Sequence, residues 1–148
     1  MARRVKSKKP EWDLNDPDQL SKFLPIPGWK SKKNNWLPNF ICADEENNAV
    51  LIGCFIGDHG DFSLNKKAVV DGMESLESGH RKEIFVVLIN YKRDENDYNS
   101  PLSCEDIVGF KPLRDVAEGL VVGPDKGKGR YEAFWWINED FKVSNGRM

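Results

Sequence analysis

Two stretches of the chain are apolar on both alternating faces, and they constrain the fold more than any other feature. Residues 50–56 read Val-Leu-Ile-Gly-Cys-Phe-Ile, and residues 84–89 read Ile-Phe-Val-Val-Leu-Ile. A strand that is buried on one face alternates apolar with polar side chains, whereas a strand that is buried on both faces is apolar throughout. Both stretches are therefore predicted to be interior strands of a sheet that is covered on its two faces.

The segment between these stretches has the pattern of a helix. Ser63 or Asn65 can cap its start, and Gly79 can end it. Its apolar residues recur as one stripe: Ala68, Val69, Met73 and Leu76. A helix between two buried strands predicts a crossover unit, in which the strands run parallel and the connection is right-handed. The residues that follow the two strands, 57–61 and 90–93, are then expected to share one rim of the sheet.

The remaining elements complete the predicted fold. Residues 40–43 and 49–56 form a hairpin that turns at 46–48. A helix begins at Asn15 or Asp16, carries Leu20, Phe23 and Leu24, and ends at Pro25; a second opens at Pro112, with Leu113, Val116, Ala117 and Leu120 at helical spacing. Residues 121–122 and 131–137 flank a glycine-rich turn and form a C-terminal hairpin. We predict a single α+β domain with a mixed sheet of about five strands and helices on both faces.

Length and composition set the outer limits of this prediction. A chain of 148 residues suits one domain with its own hydrophobic core, here residues 11–142, with a disordered basic arm at 1–10 and a disordered tail at 143–148. The chain lacks an apolar run of the ~18 residues that a membrane-spanning helix needs. Its three cysteines, Cys42, Cys54 and Cys104, lack a Cys-x-x-Cys spacing. We expect a cytoplasmic protein with no membrane partner, no zinc and no cofactor.

The charge is unevenly distributed along the chain. Residues 1–33 hold nine basic and four acidic side chains, a balance of +5, whereas residues 34–148 hold thirteen basic and twenty acidic ones, a balance of −7. A basic arm ahead of an acidic body can attract phosphate groups. It can equally be a solvated terminus, since unpaired lysines cost little in water.

Two loops interleave aromatic with basic side chains. The first contains Trp29, Lys30, Lys32, Lys33 and Trp36, and the second contains Lys126, Lys128, Arg130 and Tyr131. Aromatic rings beside cationic groups can stack bases and hold phosphates. The leading hypothesis is therefore a non-catalytic module that binds nucleic acid or another anionic partner. The acidic balance of the body counts against it, and the same aromatic residues could serve only to cover the core.

Two alternative functions rest on other residues. Trp135 and Trp136, if exposed, would form an aromatic patch for a protein partner or a second copy of the chain. Asp58, His59 and Asp61 follow the first buried strand and could hold a catalytic metal ion for hydrolysis. The structural alternative for this cluster is a turn in which Gly60 relaxes the backbone and Asp61 caps the following helix.

The order helix, hairpin, helix, strand over residues 17–91 also has a parallel in a known enzyme superfamily. Pro38-Asn39-Phe40 is followed, 14 residues after Asn39, by Gly53-Cys54-Phe55. This arrangement resembles the core of the PD-(D/E)XK nucleases, in which an acid after proline and an acid-x-lysine bind a metal ion and position water. The resemblance implies phosphodiester hydrolysis, but Asn39, Gly53 and Phe55 supply neither carboxylate nor amine. It therefore indicates a degenerate nuclease-like domain.

Overall fold

A computed structural model describes residues 12–26, 39–57, 60–90, 102–118 and 134–144. Its elements, in chain order, are α1 (Pro17–Leu20), β1 (Leu24–Pro25), β2 (Asn39–Asp44), β3 (Ala49–Phe55), β4 (Phe62–Asn65), α2 (Lys66–Ser78), β5 (Glu83–Ile89), a 3-10 turn (Cys104–Asp106), β6 (Ile107–Pro112), α3 (Leu113–Glu118), β7 (Phe134–Ile137) and β8 (Val143–Ser144). They form a five-stranded sheet in the order β1-β2-β3-β5-β6 and a three-stranded sheet in the order β4-β7-β8.

The predicted parallel pair lies at the centre of the larger sheet. β3 and β5 run in the same direction, with Ile52 opposite Val86 and Cys54 opposite Leu88. Every residue of β5 is buried, as its two-sided apolar pattern predicts. The other pairs of this sheet are antiparallel. The α+β class with a mixed five-stranded sheet is therefore confirmed, in a single domain.

The crossover helix α2 begins and ends where the sequence predicts. The Asn65 side chain accepts a hydrogen bond from the backbone N–H of Ala68, which makes Asn65 the N-cap, and Gly79 ends the helix at a φ of 83°. Glycine adopts this left-handed conformation without the steric cost that a Cβ brings. The hairpin of β2 and β3 is also confirmed. Its turn is held by Asp44, whose carboxylate accepts hydrogen bonds from the backbone N–H groups of Glu46 and Asn47.

The two faces of the larger sheet carry separate hydrophobic clusters. On one face, Ile52, Val86 and Leu88 pack with residues of α2, α3, β4 and β7. On the other face, Leu51, Phe85 and Val87 pack under the N-terminal segment, which contributes Leu14, Leu20 and Phe23. The second face is thus covered mainly by residues 12–23, of which only the single turn α1 is helical.

Three predicted elements differ from the structure, and two observed strands were not predicted. The first helix ends at Leu20 instead of continuing to Leu24, because Leu24 and Pro25 pair with β2 as an edge strand. β4 and β6 were not predicted, and α3 begins at Leu113, after Pro112 has closed β6. The C-terminal hairpin joins β7 to β8, while β7 also pairs with β4. The predicted partner strand at 121–122 lies outside the described residues.

The C-terminal end of the described chain belongs to the smaller sheet. Val143 and Ser144, the first two residues of the predicted tail, pair with Ile137 and Trp136 of β7. Residues 1–10 lie outside the described part of the chain. Within that part, no helix is long and apolar enough to cross a membrane.

Candidate functional site

The described part of the chain does not include most of the predicted site residues. All nine candidate binding residues lie outside it: Trp29, Lys30, Lys32, Lys33, Trp36, Lys126, Lys128, Arg130 and Tyr131. Asp58 and His59 of the metal hypothesis also lie outside it, whereas Asp61 is described. The described residues that flank 27–38 and 119–133 show where these two segments attach to the fold.

The described residues on the two sides of residues 27–38 lie on or beside the same strand, β2. At its start, the backbone N–H of Ile26 donates a hydrogen bond of 3.0 Å to the carbonyl oxygen of Ile41 in β2. At its end, the chain rejoins β2 at Asn39. The described residues on either side of residues 27–38 therefore attach to β2 at positions that are two residues apart. This is the end of the sheet at which β3 finishes, since Asn39 lies opposite Cys54.

Phe134, the first described residue after 119–133, is connected through Asn65 to Asn39, the first described residue after 27–38. Residues 119–133 rejoin the fold at Phe134, which lies opposite Asn65 in the β4–β7 ladder. The backbone N–H of Asn65 in turn donates a hydrogen bond of 2.9 Å to Oδ1 of Asn39. The Asn39 side chain and the pairing of β4 with β7 thus connect Asn39, which follows residues 27–38, with Phe134, which follows residues 119–133.

Asn39 joins the two sheets through a buried amide. It is fully buried, and its Nδ2 donates to the carbonyl oxygen of Ser63 at 2.9 Å and to that of Gly53 at 3.3 Å. Together with the bond from Asn65, these contacts link β2, β3 and β4. Burial of a side-chain amide costs little folding free energy when its oxygen and its nitrogen are both hydrogen-bonded, whereas an amide group left without a partner would cost about 1–3 kcal/mol. Sequence reasoning missed this role because the three partners come from other strands.

The first turn of α2 lies close to Asn39, because the helix begins directly after Asn65. Lys66 and Lys67 follow Asn65 directly, and the first turn contains no acidic residue. The Lys66 ammonium lies 5.3 Å from the centre of the Trp135 ring, while Lys67 forms an ion pair of 2.9 Å with Asp71. A helix N-terminus carries a partial positive charge. Positive potential is therefore expected beside Asn65.

The two tryptophans of β7 differ in exposure. Trp135 is 2% exposed and belongs to the core on the α2 side of the large sheet. Trp136 is half-buried and would lie 3.7 Å from a Cβ at position 57. Trp135 is therefore excluded from the predicted aromatic patch, because its place opposite Leu64 points it into the core.

The sequence offered a structural alternative to the metal site, namely a turn with Gly60 in a relaxed backbone conformation and Asp61 as a helix cap. The structure has the predicted glycine conformation, but Asp61 is not the cap. Gly60 has a φ of 87°, and the backbone N–H of Gly57 donates to the carbonyl oxygen of Asp61. Asp61 does not cap α2, because four residues of β4 separate the turn from the helix and Asn65 is the cap. Among the described residues, no group of three or more His, Cys, Asp or Glu side chains could hold a metal ion.

The three positions at which the PD-(D/E)XK nucleases carry catalytic residues hold Asn39, Gly53 and Phe55, and all three have structural roles here. Asn39 uses its amide to join strands, and Phe55 is 4% exposed. At Gly53, an added Cβ would lie 2.7 Å from Cδ1 of Ile89 and 3.2 Å from the carbonyl oxygen of Phe40. These three positions have neither the carboxylates nor the space that a metal site of this kind requires.

The cysteines are unsuited to nucleophilic chemistry. Burial raises the pKa of Cys42 to about 12 and raises the pKa of Cys54 as well, so both are thiols at neutral pH. The pKa of Cys104 is also raised, first by desolvation and then by the negative charges of Asp16 and Asp13. A thiolate at any of the three positions is therefore disfavoured.

Comparisons with known proteins complete the description of the site. No protein-family model matches the chain, and no curated protein or solved structure is significantly similar to it.

Proposed function

We propose that the protein is a non-catalytic module that binds nucleic acid, or a chemically similar polyanion, through its two aromatic and basic loops. The single observation that carries the proposal is the connection from Asn39 through Asn65 to Phe134. It keeps the residues that follow the two loops together at one end of the domain. Two cationic segments that are tethered side by side can contact the same phosphate backbone.

The charges of the described residues favour binding of an anion at the end of the domain that contains Asn39, rather than at the end that contains the β2–β3 turn. At the end where β2 turns into β3, two of the cations are paired: Lys22 lies 4.0 Å from Glu46, and Arg81 lies 3.2 Å from Glu45. Beside Asn39, the N-terminal turn of α2 adds its partial positive charge and the ammonium of Lys66 to the loops' own cations. An anionic partner would therefore be attracted to the loop end.

The proposal is tested by measuring binding of fluorescently labelled oligonucleotides, single- and double-stranded, by anisotropy at several salt concentrations. If about five phosphates of a single strand are neutralised, the affinity falls about 100-fold between 50 and 200 mM salt. Deletion of residues 1–9 weakens the binding further if the basic arm contributes. Absent binding, or binding that is independent of salt, would refute the proposal.

A matched pair of triple variants locates the binding surface. Replacing Lys126, Lys128 and Arg130 with glutamine is expected to reduce the slope of log affinity against log salt by about 2 for a single strand. The control replaces Lys22, Arg81 and Lys82 with glutamine, which removes the same charge from the opposite end of the domain. Equal losses in both variants would show that only net charge matters, against a localised surface.

The same assay distinguishes the alternative functions. The labelled oligonucleotide is incubated with Mg²⁺ or Mn²⁺ and separated by length, with an Asp58→Asn variant beside the wild-type protein. Cleavage that the variant abolishes would favour the metal-dependent hydrolase and contradict a non-catalytic module. Sedimentation without any ligand reports whether copies of the chain associate, as an interaction module with an exposed patch would require.

A further inference from the structure

The segment before α1 meets the edge strand β6, and the 3-10 turn before it, along a seam on the second face of the larger sheet. The Sγ of Cys104 donates a hydrogen bond of 3.6 Å to the carbonyl oxygen of Leu14. The ring of Trp12 packs on Phe85 at 5.5 Å between ring centres, and Phe110 packs on the same ring at 6.2 Å. Two segments that are 90 residues apart in the chain therefore lie side by side.

Apolar side chains along this seam are only partly covered. Five of them pack against the core cluster of the second face and are nevertheless half-buried: Trp12, Leu102, Cys104, Ile107 and Phe110. In the same stretch of β6, Val108 is 39% exposed. Neighbouring apolar side chains that still contact solvent are typical of a surface at which another molecule binds, because covering them removes apolar area from water.

The charge along the same seam has a single sign. Residues 12–20 and 102–110 contain no lysine, arginine or histidine, and they contain five acidic side chains: Asp13, Asp16, Asp18, Glu105 and Asp106. None of the ion pairs within the described part of the chain involves them. After desolvation, the charges of Asp16 and Asp13 raise the pKa of Cys104, so these carboxylates act across the seam. Negative charge that no cation neutralises therefore lies beside partly exposed apolar surface.

We propose that this seam is a docking surface for a basic segment of a partner protein, in which lysine or arginine side chains alternate with apolar ones. Charge complementarity selects this partner, because cations on either side of apolar anchors match carboxylates that are spread along an apolar strip. The carboxylates do not converge as metal ligands would: among the described residues, no group of three or more could hold a metal ion.

This surface is separate from the one proposed for nucleic acid, which negative charge repels. β6 lies three strand spacings from β2, the strand that carries Asn39, which is about 14 Å. This distance exceeds the Debye length of about 8 Å at physiological salt, so the charges of the two surfaces act largely independently. The docking surface therefore does not rest on the proposed function.

The test uses the full-length protein and a fluorescently labelled ten-residue peptide of alternating lysine and leucine, with binding measured by anisotropy. Two control peptides isolate the two contributions. In the first, glutamate replaces lysine, which reverses the charge. In the second, serine replaces leucine, which removes the apolar side chains. We expect the lysine–leucine peptide to bind with an affinity that falls as salt is added, and each control peptide to bind about tenfold more weakly or less.

A matched pair of double variants locates the binding surface. The seam variant, Glu105→Gln with Asp106→Asn, is expected to weaken binding of the lysine–leucine peptide about fivefold, since each exposed ion pair contributes modestly. The control, Glu74→Gln with Glu77→Gln, removes the same charge from exposed positions of α2, which covers the opposite face of the sheet. Its affinity for the peptide should stay within about twofold of wild type.

Several outcomes would overturn the docking surface. Absent binding at low salt would do so, as would equal binding of the lysine–leucine and lysine–serine peptides or equal losses in the two double variants. Binding that appears only after deletion of residues 1–9 would identify the chain's own basic arm as the occupant. Self-association that the seam variant abolishes would identify a second copy. Oligonucleotide binding is measured separately, so its failure would leave the docking surface in place.

Discussion

The packing around Gly53 makes a quantitative prediction for Gly53→Ala. The new methyl group would lie 2.7 Å from Cδ1 of Ile89 and 3.2 Å from the carbonyl oxygen of Phe40. Ile89 is fully buried and Phe40 is paired with Gly53 in the sheet, so neither can move away freely. Overpacking of this kind costs about 1–3 kcal/mol, and the better strand propensity of alanine returns about 0.5–1 kcal/mol. The difference between these two ranges lowers the free energy of unfolding by about 1 kcal/mol as a central value, and by about 2.5 kcal/mol at most.

The cause of this loss can be isolated with a double-variant cycle. Ile89→Val deletes the methyl group that the new Cβ would meet and by itself costs about 0.5–1.5 kcal/mol. Because the added methyl then occupies part of the vacated space, the double variant should be more stable than the sum of the two changes predicts, by about 1 kcal/mol. Urea unfolding curves of the four proteins give the coupling. Additive losses would show that Ile89 is not the obstacle and would refute the reasoning.

Three further predictions concern stability. Because Cys42 and Cys54 are buried thiols with raised pKa values, the unfolded chain ionises them first. Stability is therefore constant below about pH 8 and falls as the pH rises toward 12, by about 1.4 kcal/mol per thiol at pH 10. Urea unfolding at pH 7.5 and 10 measures this loss, and an unchanged midpoint would contradict it. Asn65→Ala should lower the free energy of unfolding by about 1 kcal/mol through loss of the helix cap, checked by thermal melting against Asn65→Asp, which can still cap. Asp44→Ala should cost about 1–3 kcal/mol, because the backbone N–H groups of the β2–β3 turn lose their acceptor; a melting temperature equal to that of wild type would contradict this.

The parts of the fold that could be predicted are those that local patterns determine. The central strands β3 and β5 are apolar on both faces, and this pattern is independent of which residues later cover them. The ends of α2 follow from Asn65 and Gly79, whose effects act over a single turn. The β2–β3 turn likewise depends on Asp44 and its immediate neighbours. Each of these signals is contained within a few residues of the element that it determines.

The missed elements depend on contacts between distant segments. Residues Phe62–Asn65 alternate apolar with polar side chains, but over only four positions, and Asn65 is also the helix cap. They become a strand because β7, about 70 residues later, pairs with them. β6 is an edge strand with half-exposed side chains and so lacks the two-sided pattern. Leu24 and Pro25 gain their hydrogen bonds from β2, which overrides the helical spacing of Leu20, Phe23 and Leu24.

The role of Asn39 could not be read from the sequence for the same reason. Its amide partners, Gly53, Ser63 and Asn65, lie 14, 24 and 26 residues away in the chain. The sequence identified Asn39 only as a residue at which a nuclease would carry an acid.

The sequence predicts binding by residues that precede Asn39 and chemistry by residues that follow β3, and both sets adjoin the same end of the larger sheet. The metal-dependent hydrolase hypothesis concerns residues that follow β3, at the rim of the sheet that the ends of β3 and β5 share. These two strands finish in register at Phe55 and Ile89. Asn39 lies opposite Cys54 at that same end, so the first loop rejoins the fold beside the rim. Because binding by the loops and hydrolysis at the rim are alternatives for the same end of the domain, one oligonucleotide serves to test both: uncleaved but salt-dependent binding favours the non-catalytic module, and cleavage that Asp58→Asn abolishes favours the hydrolase.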